Sequence, residues 1–141
     1  MAILLLSVGT VLVLSVLTPG NSTVQNRTTT EKGNNLREGI SRYKANHIVL
    51  ATKPGNLDAL ITDDALAIGA CAFQNNTGVP TTYLTLQGWC GPYVDLPFAE
   101  DPNSFKTDGW GTAFSYTTAT DVLKSCGPNR ACGDADDITF P

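Results

Sequence analysis

The residues best suited to chemistry lie near the C-terminus, in Ser125-Cys126-Gly127-Pro128-Asn129-Arg130-Ala131-Cys132-Gly133-Asp134-Ala135-Asp136-Asp137-Ile138. Asp134, Asp136 and Asp137 fall within four positions and repel one another unless something positive sits among them. Gly127, Pro128 and Gly133 let such a segment turn sharply and aim carbonyls inward. Ca2+ takes about six to eight hard oxygen ligands, so Asn129, Asp134, Asp136 and Asp137 form a candidate Ca2+ set. The EF-hand spacing is absent. A solvated acidic turn fits the same residues, and on spacing alone the two readings stand level.

Four cysteines, Cys71, Cys90, Cys126 and Cys132, allow three pairings. Their spacings are not those of zinc sites, so structural disulfides and an oxidising compartment are the expectation. Nearness in sequence favours Cys126 with Cys132 and Cys71 with Cys90. Nucleophilic catalysis needs a base beside the nucleophile, and the single histidine, His47, falls in a helical pattern. It reads as a packed or helix-end residue, and no enzyme is expected. No basic cluster of the kind that tracks phosphates is present, so no nucleic-acid contact is expected.

These residues need elements to position them. The chain has 141 residues, the size of one ordinary domain, but its polarity is uneven. Met1 to Asn26 carries no charge, and Ala2 to Leu17 is nearly all Ala, Ile, Leu and Val. As an α-helix, Ile3 to Leu17 spans about 22 Å, short of a hydrocarbon core of ~30 Å. No Lys or Arg follows Met1 and no small-x-small cleavage site follows Leu17, so a helix buried in membrane or between subunits is preferred to a cleaved signal. Pro19 predicts a kink or local melt within a continuing helix. Beyond it Leu36, Ile40, Tyr43 and His47 recur at i, i+4, i+7 and i+11, one amphipathic stripe. Gly33 and Gly39 weaken that helix, which therefore depends on tertiary packing.

This divides the chain into an apolar helix half, residues 1–24, and a head, residues 25–141, whose first part (about 25–50) is the amphipathic half. Leu57 to Leu60 suits a short helix. Pro80 to Leu86, Thr112 to Thr118, Val122 to Ser125 and Ile138 to Phe140 suit strands, the second and third pairing across Ala119-Thr120-Asp121. The fold class is α+β: a long N-terminal helix on one small antiparallel sheet with a C-terminal loop. Arg27 to Lys53 holds six bases and two acids, whereas Asp95 onward holds eight acids and three bases. A basic segment beside an apolar one suits a membrane surface, and the acidic distal half suits metal or solvent.

The stretch Gly91-Pro92-Tyr93-Val94 … Asp108-Gly109-Trp110-Gly111-Thr112-Ala113-Phe114-Ser115-Tyr116 resembles the Gly-x-Tyr-Leu … Asp-x-Trp-Gly-x-x-(Tyr/Phe)-x-Tyr signature of the major pseudopilins of type II secretion, a type IV pilin-like family. Ser125-x-Gly127-Pro128-Asn129 … Gly133-x-x-Asp136-Asp137-Ile138 is similar to that family's C-terminal calcium loop, and the helix layout fits as well. Where the family commonly has Asp-Gly in that loop, this chain has Asn129-Arg130, a weaker oxygen ligand beside an opposing charge. The family's apolar run often reads Met-Ala-Ile-Leu after a basic leader and Gly-Phe-Thr-Leu-x-Glu, and here Met1-Ala2-Ile3-Leu4 occupies that place, as if the leader, cleavage site and Glu had been lost or the start assigned late.

The resemblance implies a structural subunit of a pseudopilus or type IV pilus. It would sit in the bacterial inner membrane with its head outside, then join a helical homo-oligomeric filament alongside other secretion or pilus subunits. It also implies that Trp110 and Phe114 anchor the head and that Asp108 caps a turn. The alternative from another class is a membrane-anchored, disulfide-stapled extracytoplasmic binding module that does not polymerise.

Overall fold

The computed structural model describes residues 19–47, 53–63, 71–76, 83–95 and 100–141. The apolar stretch expected to form the first helix half lies outside the described residues. Among the described residues no helix is long and apolar enough to cross a membrane. One long helix, α1 (Pro19–Asn46), runs unbroken through the boundary expected near residue 24.

Rich in Asn, Thr and Gly, α1 has poor intrinsic propensity, so its persistence over 28 residues needs an external partner. The partner is the rest of the head. Leu36, Ile40, Tyr43 and His47 are all buried, as their spacing predicts. The stripe also extends N-terminally through polar residues. Thr29 and Lys32 continue the same i, i+3, i+4 rhythm and bind the segment around Ser104–Gly109: Lys32 Nζ donates to the carbonyls of Ser104 and Thr107, both at 2.8 Å, and Thr29 Oγ1 accepts from Gly109 N at 2.9 Å. Two glycines of α1 admit close neighbours. A Cβ at Gly33 would fall 2.2 Å from the Phe140 ring, and one at Gly39 would fall 2.6 Å from Val94. The residues that weaken α1 as an isolated helix are thus those that let the head pack against it.

Among the described residues the strands form two antiparallel sheets rather than the single sheet expected from sequence. β1 (Ala72–Asn76) pairs with β2 (Tyr83–Gln87). β3 (Ser115–Thr117), β4 (Val122–Ser125) and β5 (Ile138–Phe140) form the second, in the order β3-β4-β5. β1 is the strand missed, since its Ala-Phe-Gln-Asn-Asn run lacks the alternation that marked the others. The Ala119–Asp121 turn joins β3 to β4 as expected, with Asp121 at φ 57°, a region that Asp tolerates better than most residues. Leu57–Leu60 forms a 3-10 turn capped by the Asn56 side chain. The core is continuous: Leu36, Ile40 and Tyr43 of α1 meet Leu57, Leu60, Tyr93, Phe114, Leu123 and Phe140. Each of these larger side chains stabilises the packing by roughly 1.5–3 kcal/mol relative to exposure.

His47 closes the stripe. Its ring stacks on Tyr43 at 3.9 Å and its Nδ1 lies 2.7 Å from the Tyr43 carbonyl, a contact that places the proton on Nδ1. This is a helix-end packing role.

Candidate cation loop

The loop between β4 and β5 contains every residue of the candidate metal set. At its base, Ser125 is fully buried, and its hydroxyl donates to Asp108 Oδ2 at 2.7 Å while accepting from Gly127 N at 3.2 Å. Asp108 Oδ1 accepts from Trp110 N at 3.0 Å and Thr112 N at 2.8 Å, closing the Asp-Gly-Trp-Gly turn around a buried carboxylate. A Cβ at Gly109 would fall 2.3 Å from the Gln25 carbonyl, so the turn sits directly on α1. Trp110 and Phe114 flank it, both 6 % exposed. The two stretches singled out from sequence, 108–116 and 125–138, thus meet through one hydrogen bond.

From that base the backbone makes a tight excursion through left-handed positions at Gly127, Arg130 and Gly133. The ends close on each other, because a Cβ at Gly127 would lie 2.3 Å from the Asp136 carbonyl. Glycine is therefore required there twice over, by φ and by contact. Asn129, Asp134 and Asp136 are brought together: Asn129 Nδ2 donates to Asp134 Oδ2 at 2.6 Å and to Asp136 Oδ1 at 3.0 Å. Asn129 Oδ1 accepts from Ala131 N, so the amide presents its donor end to the carboxylates. One N–H2 group occupies the point on which two carboxylate oxygens converge. The contact between the two carboxyls splits their titration. Asp134 is held below the ordinary carboxylate range, first by its hydrogen bond with Asp136 and then by Asn129. Asp136 is pushed above that range, first by the same contact with Asp134.

Asp137 stands apart from this trio. Its Oδ2 accepts from Gly133 N at 3.0 Å and lies 3.9 Å from Lys124 Nζ. Its Oδ1 is buried and has no hydrogen-bond partner, although the side chain is only 9 % exposed. Such an oxygen normally meets a donor or a cation. Among the described residues no three His, Cys, Asp or Glu side chains are grouped to hold a metal ion. Three carboxylates and an amide sit on this glycine-bent loop, and one buried carboxylate oxygen is unanswered. Arg130 is exposed.

The cysteines pair as Cys71–Cys90 and Cys126–Cys132. The first flanks the β1–β2 hairpin and ties its open ends. The second ties the buried end of β4 to the outer limb of the loop, with Cys126 2 % exposed and Cys132 on the surface.

A second charged cluster, not identified from sequence, lies at the start of β4. Asp121 accepts from Arg37 Nη1 at 3.1 Å, Lys44 Nζ at 2.6 Å and the Tyr116 hydroxyl at 3.0 Å. Burial opposes its charge, but the bonds from Lys44, Arg37 and Tyr116 outweigh it and lower the carboxyl to about 2. Burial and then the Asp121 hydrogen bond raise the Tyr116 phenol. The only sequence signals were a polar hairpin turn and two bases at helical spacing. Compared with protein-family models, with curated proteins and with solved structures, the chain gives no match in any of the three.

Proposed function

We propose that this chain is a filament subunit of the pilin-like type, belonging to a pseudopilus or type IV pilus. Its head is stiffened by the C-terminal loop, which takes Ca2+. The observation that carries the reading is the hydrogen bond from Ser125 to Asp108, which joins the Asp-Gly-Trp-Gly turn and the acidic loop into one unit against α1. Those are the two stretches on which the resemblance rests, and their union gives the resemblance a physical basis. The α+β head on a long helix supports the same reading. In it, residues 1–24 sit in the inner membrane before assembly and then bundle with the same segment of neighbouring copies, since a charge-free helix requires lipid or other apolar helices around it. Heads lie outside the membrane and form the filament's outer layer.

Two experiments test it. Expressed in a bacterium with the cognate assembly components, the protein is expected in the sheared fraction as fibres visible by negative-stain electron microscopy. Recovery only as detergent-extracted monomer would instead favour the anchored, non-polymerising module. For the loop, Ca2+ at a hundredfold excess over Kd is expected to raise the melting temperature of the oxidised protein by about 5–10 °C. Asp136→Ala with Asp137→Ala abolishes the rise, and a flat wild-type response removes calcium from the proposal.

A further inference from the structure

Among the described residues two that are not glycine hold left-handed backbone, Asp121 at φ 57° and Arg130 at φ 62°. That conformation disfavours any side chain, and Arg more than Asp. For Asp121 the bonds from Arg37, Lys44 and Tyr116 offset it. For Arg130 nothing in its own chain does. Every other Lys and Arg is held in an ion pair or, for Lys32 and Lys53, by carbonyl oxygens. Among the described residues the Arg130 side chain alone of these has neither. Its surroundings present it outward. Arg130 N donates to the Gly127 carbonyl at 3.2 Å, closing a turn that the Cys126–Cys132 disulfide encloses. Residues 128–131 of that turn are all exposed. A turn clipped in this way has little freedom left to lose when a partner takes up its side chain.

A complementary surface lies elsewhere on the head. The loop's base bonds to Asp108, whose turn sits on α1 at Gln25 and Thr29. Roughly 9–25 Å further along the helix axis, α1 and the 92–95 segment bound a groove of about 500 Å3. Asn35, Glu38 and Arg42 line its helix side, and Pro92, Val94 and Asp95 face them. Glu38 and Arg42 pair with each other. Asp95 and Asn35 have no partner among the described residues. With two acids against one base, the groove is short of one positive charge, and Arg130 is short of a negative one. Arginine suits both walls, since its aliphatic stem can lie on Pro92 and Val94 while the planar guanidinium donates to the Asp95 carboxylate and the Asn35 carbonyl.

We propose that Arg130 of one copy enters this groove on a second copy and pairs with Asp95. The inference deepens the filament reading and rests on it, because both halves of the contact belong to this chain. Turn and groove are different surfaces, so each copy that makes the contact still has one of them unused. Such a head-to-tail contact extends an assembly, whereas a two-fold contact would close it as a dimer. One ion pair at a surface contributes little by itself. In a filament it forms between copies already held side by side by their apolar helices, where the effective concentration is high.

The test uses the full chain, expressed in a bacterium with the assembly components and carrying the photo-crosslinker p-benzoylphenylalanine in place of Ala131, the exposed neighbour of Arg130. Irradiation is expected to give a ladder of multimers, with the far end of each crosslink mapped by mass spectrometry to residues 35–42 or 92–95 of another copy. Arg130→Glu should cut the multimer yield at least about tenfold, and Asp95→Arg should do the same. The two together should restore it, because the charges are exchanged; this recovery also shows that neither reversal acts by unfolding the head. Fibres are counted in parallel by negative-stain electron microscopy. Where fibres form, the filament reading stands, and any of four results overturns the contact: no crosslink, crosslinks mapped to other parts of the chain or to a different protein, a yield indifferent to either reversal, or no recovery in the double variant. Loss of both fibres and multimers in the otherwise wild-type chain overturns the contact and the filament reading together.

Discussion

The two ends of β4 carry carboxylates in opposite circumstances. At its start, Asp121 is gripped by Arg37 and Lys44 of α1 and by Tyr116 of the neighbouring strand. At its far end, Asp134, Asp136 and Asp137 share one amide, three backbone N–H groups and a lysine 3.9 Å away, and one buried oxygen has nothing. Asp108, beneath the loop, belongs with Asp121, since both of its oxygens meet donors. The difference is one of supply. Where helix and sheet face each other, their side chains and turn amides neutralise a carboxylate from several directions. A loop that projects beyond them has its own backbone, one amide side chain and a single lysine at its edge to offer. Asp134 and Asp136 are answered only by exposed donors of their own loop, and Asp137 Oδ1 alone is short of a donor, so it is the oxygen at which an external positive charge would gain most.

Mutations should separate the two kinds by size of effect. Asp108→Ala leaves Trp110 N, Thr112 N and the Ser125 hydroxyl without their acceptor and should lower unfolding free energy by about 3 kcal/mol, read from urea denaturation. Asp121→Ala should cost about 2 kcal/mol, less because Lys44 remains 37 % exposed and can turn to water. Asp137→Ala without Ca2+ should change stability by under about 1 kcal/mol, because it removes an unpaired oxygen, a partly exposed ion pair and a hydrogen bond from Gly133 N that water can replace. If it costs as much as Asp121→Ala, the loop is as fully answered as the helix–sheet interface and the contrast fails.

A pH series sharpens the same contrast. The Asp121 carboxyl is lowered from 3.8 to about 2 in the folded state, so its stabilising contribution is complete above the unfolded value and disappears as pH falls through the folded one. Wild-type stability should therefore drop more steeply than that of Asp121→Asn between about pH 4 and pH 2, the two curves converging at the acid end. Parallel curves would mean that the ion cluster is too well hydrated to matter.

Much of the frame was legible because it rests on periodicity. Leu36, Ile40, Tyr43 and His47 announced the buried face of α1, and the aromatic alternation around Thr112–Thr118 announced β3. The polar continuation of the stripe was not legible, because Thr29 and Lys32 bond with amide and carbonyl groups that only the folded chain brings near. β1 was missed because it lacks alternation. Gly33 and Gly39 were read correctly as weakening the helix, but their reason lay across the interface in Phe140 and Val94.

By itself the sequence determined which residues would be buried along one helix face, where the β3–β4 hairpin would turn and which loop would gather acids, because spacing and residue type act locally. Tertiary structure alone decided which carboxylates would find donors. Asp108, Asp121 and Asp137 look alike in a string of letters. What separates them is the direction from which positive charge and N–H groups arrive, and those come from segments distant in sequence: α1 for Asp121, Ser125 for Asp108, and for one oxygen of Asp137, nothing within the fold.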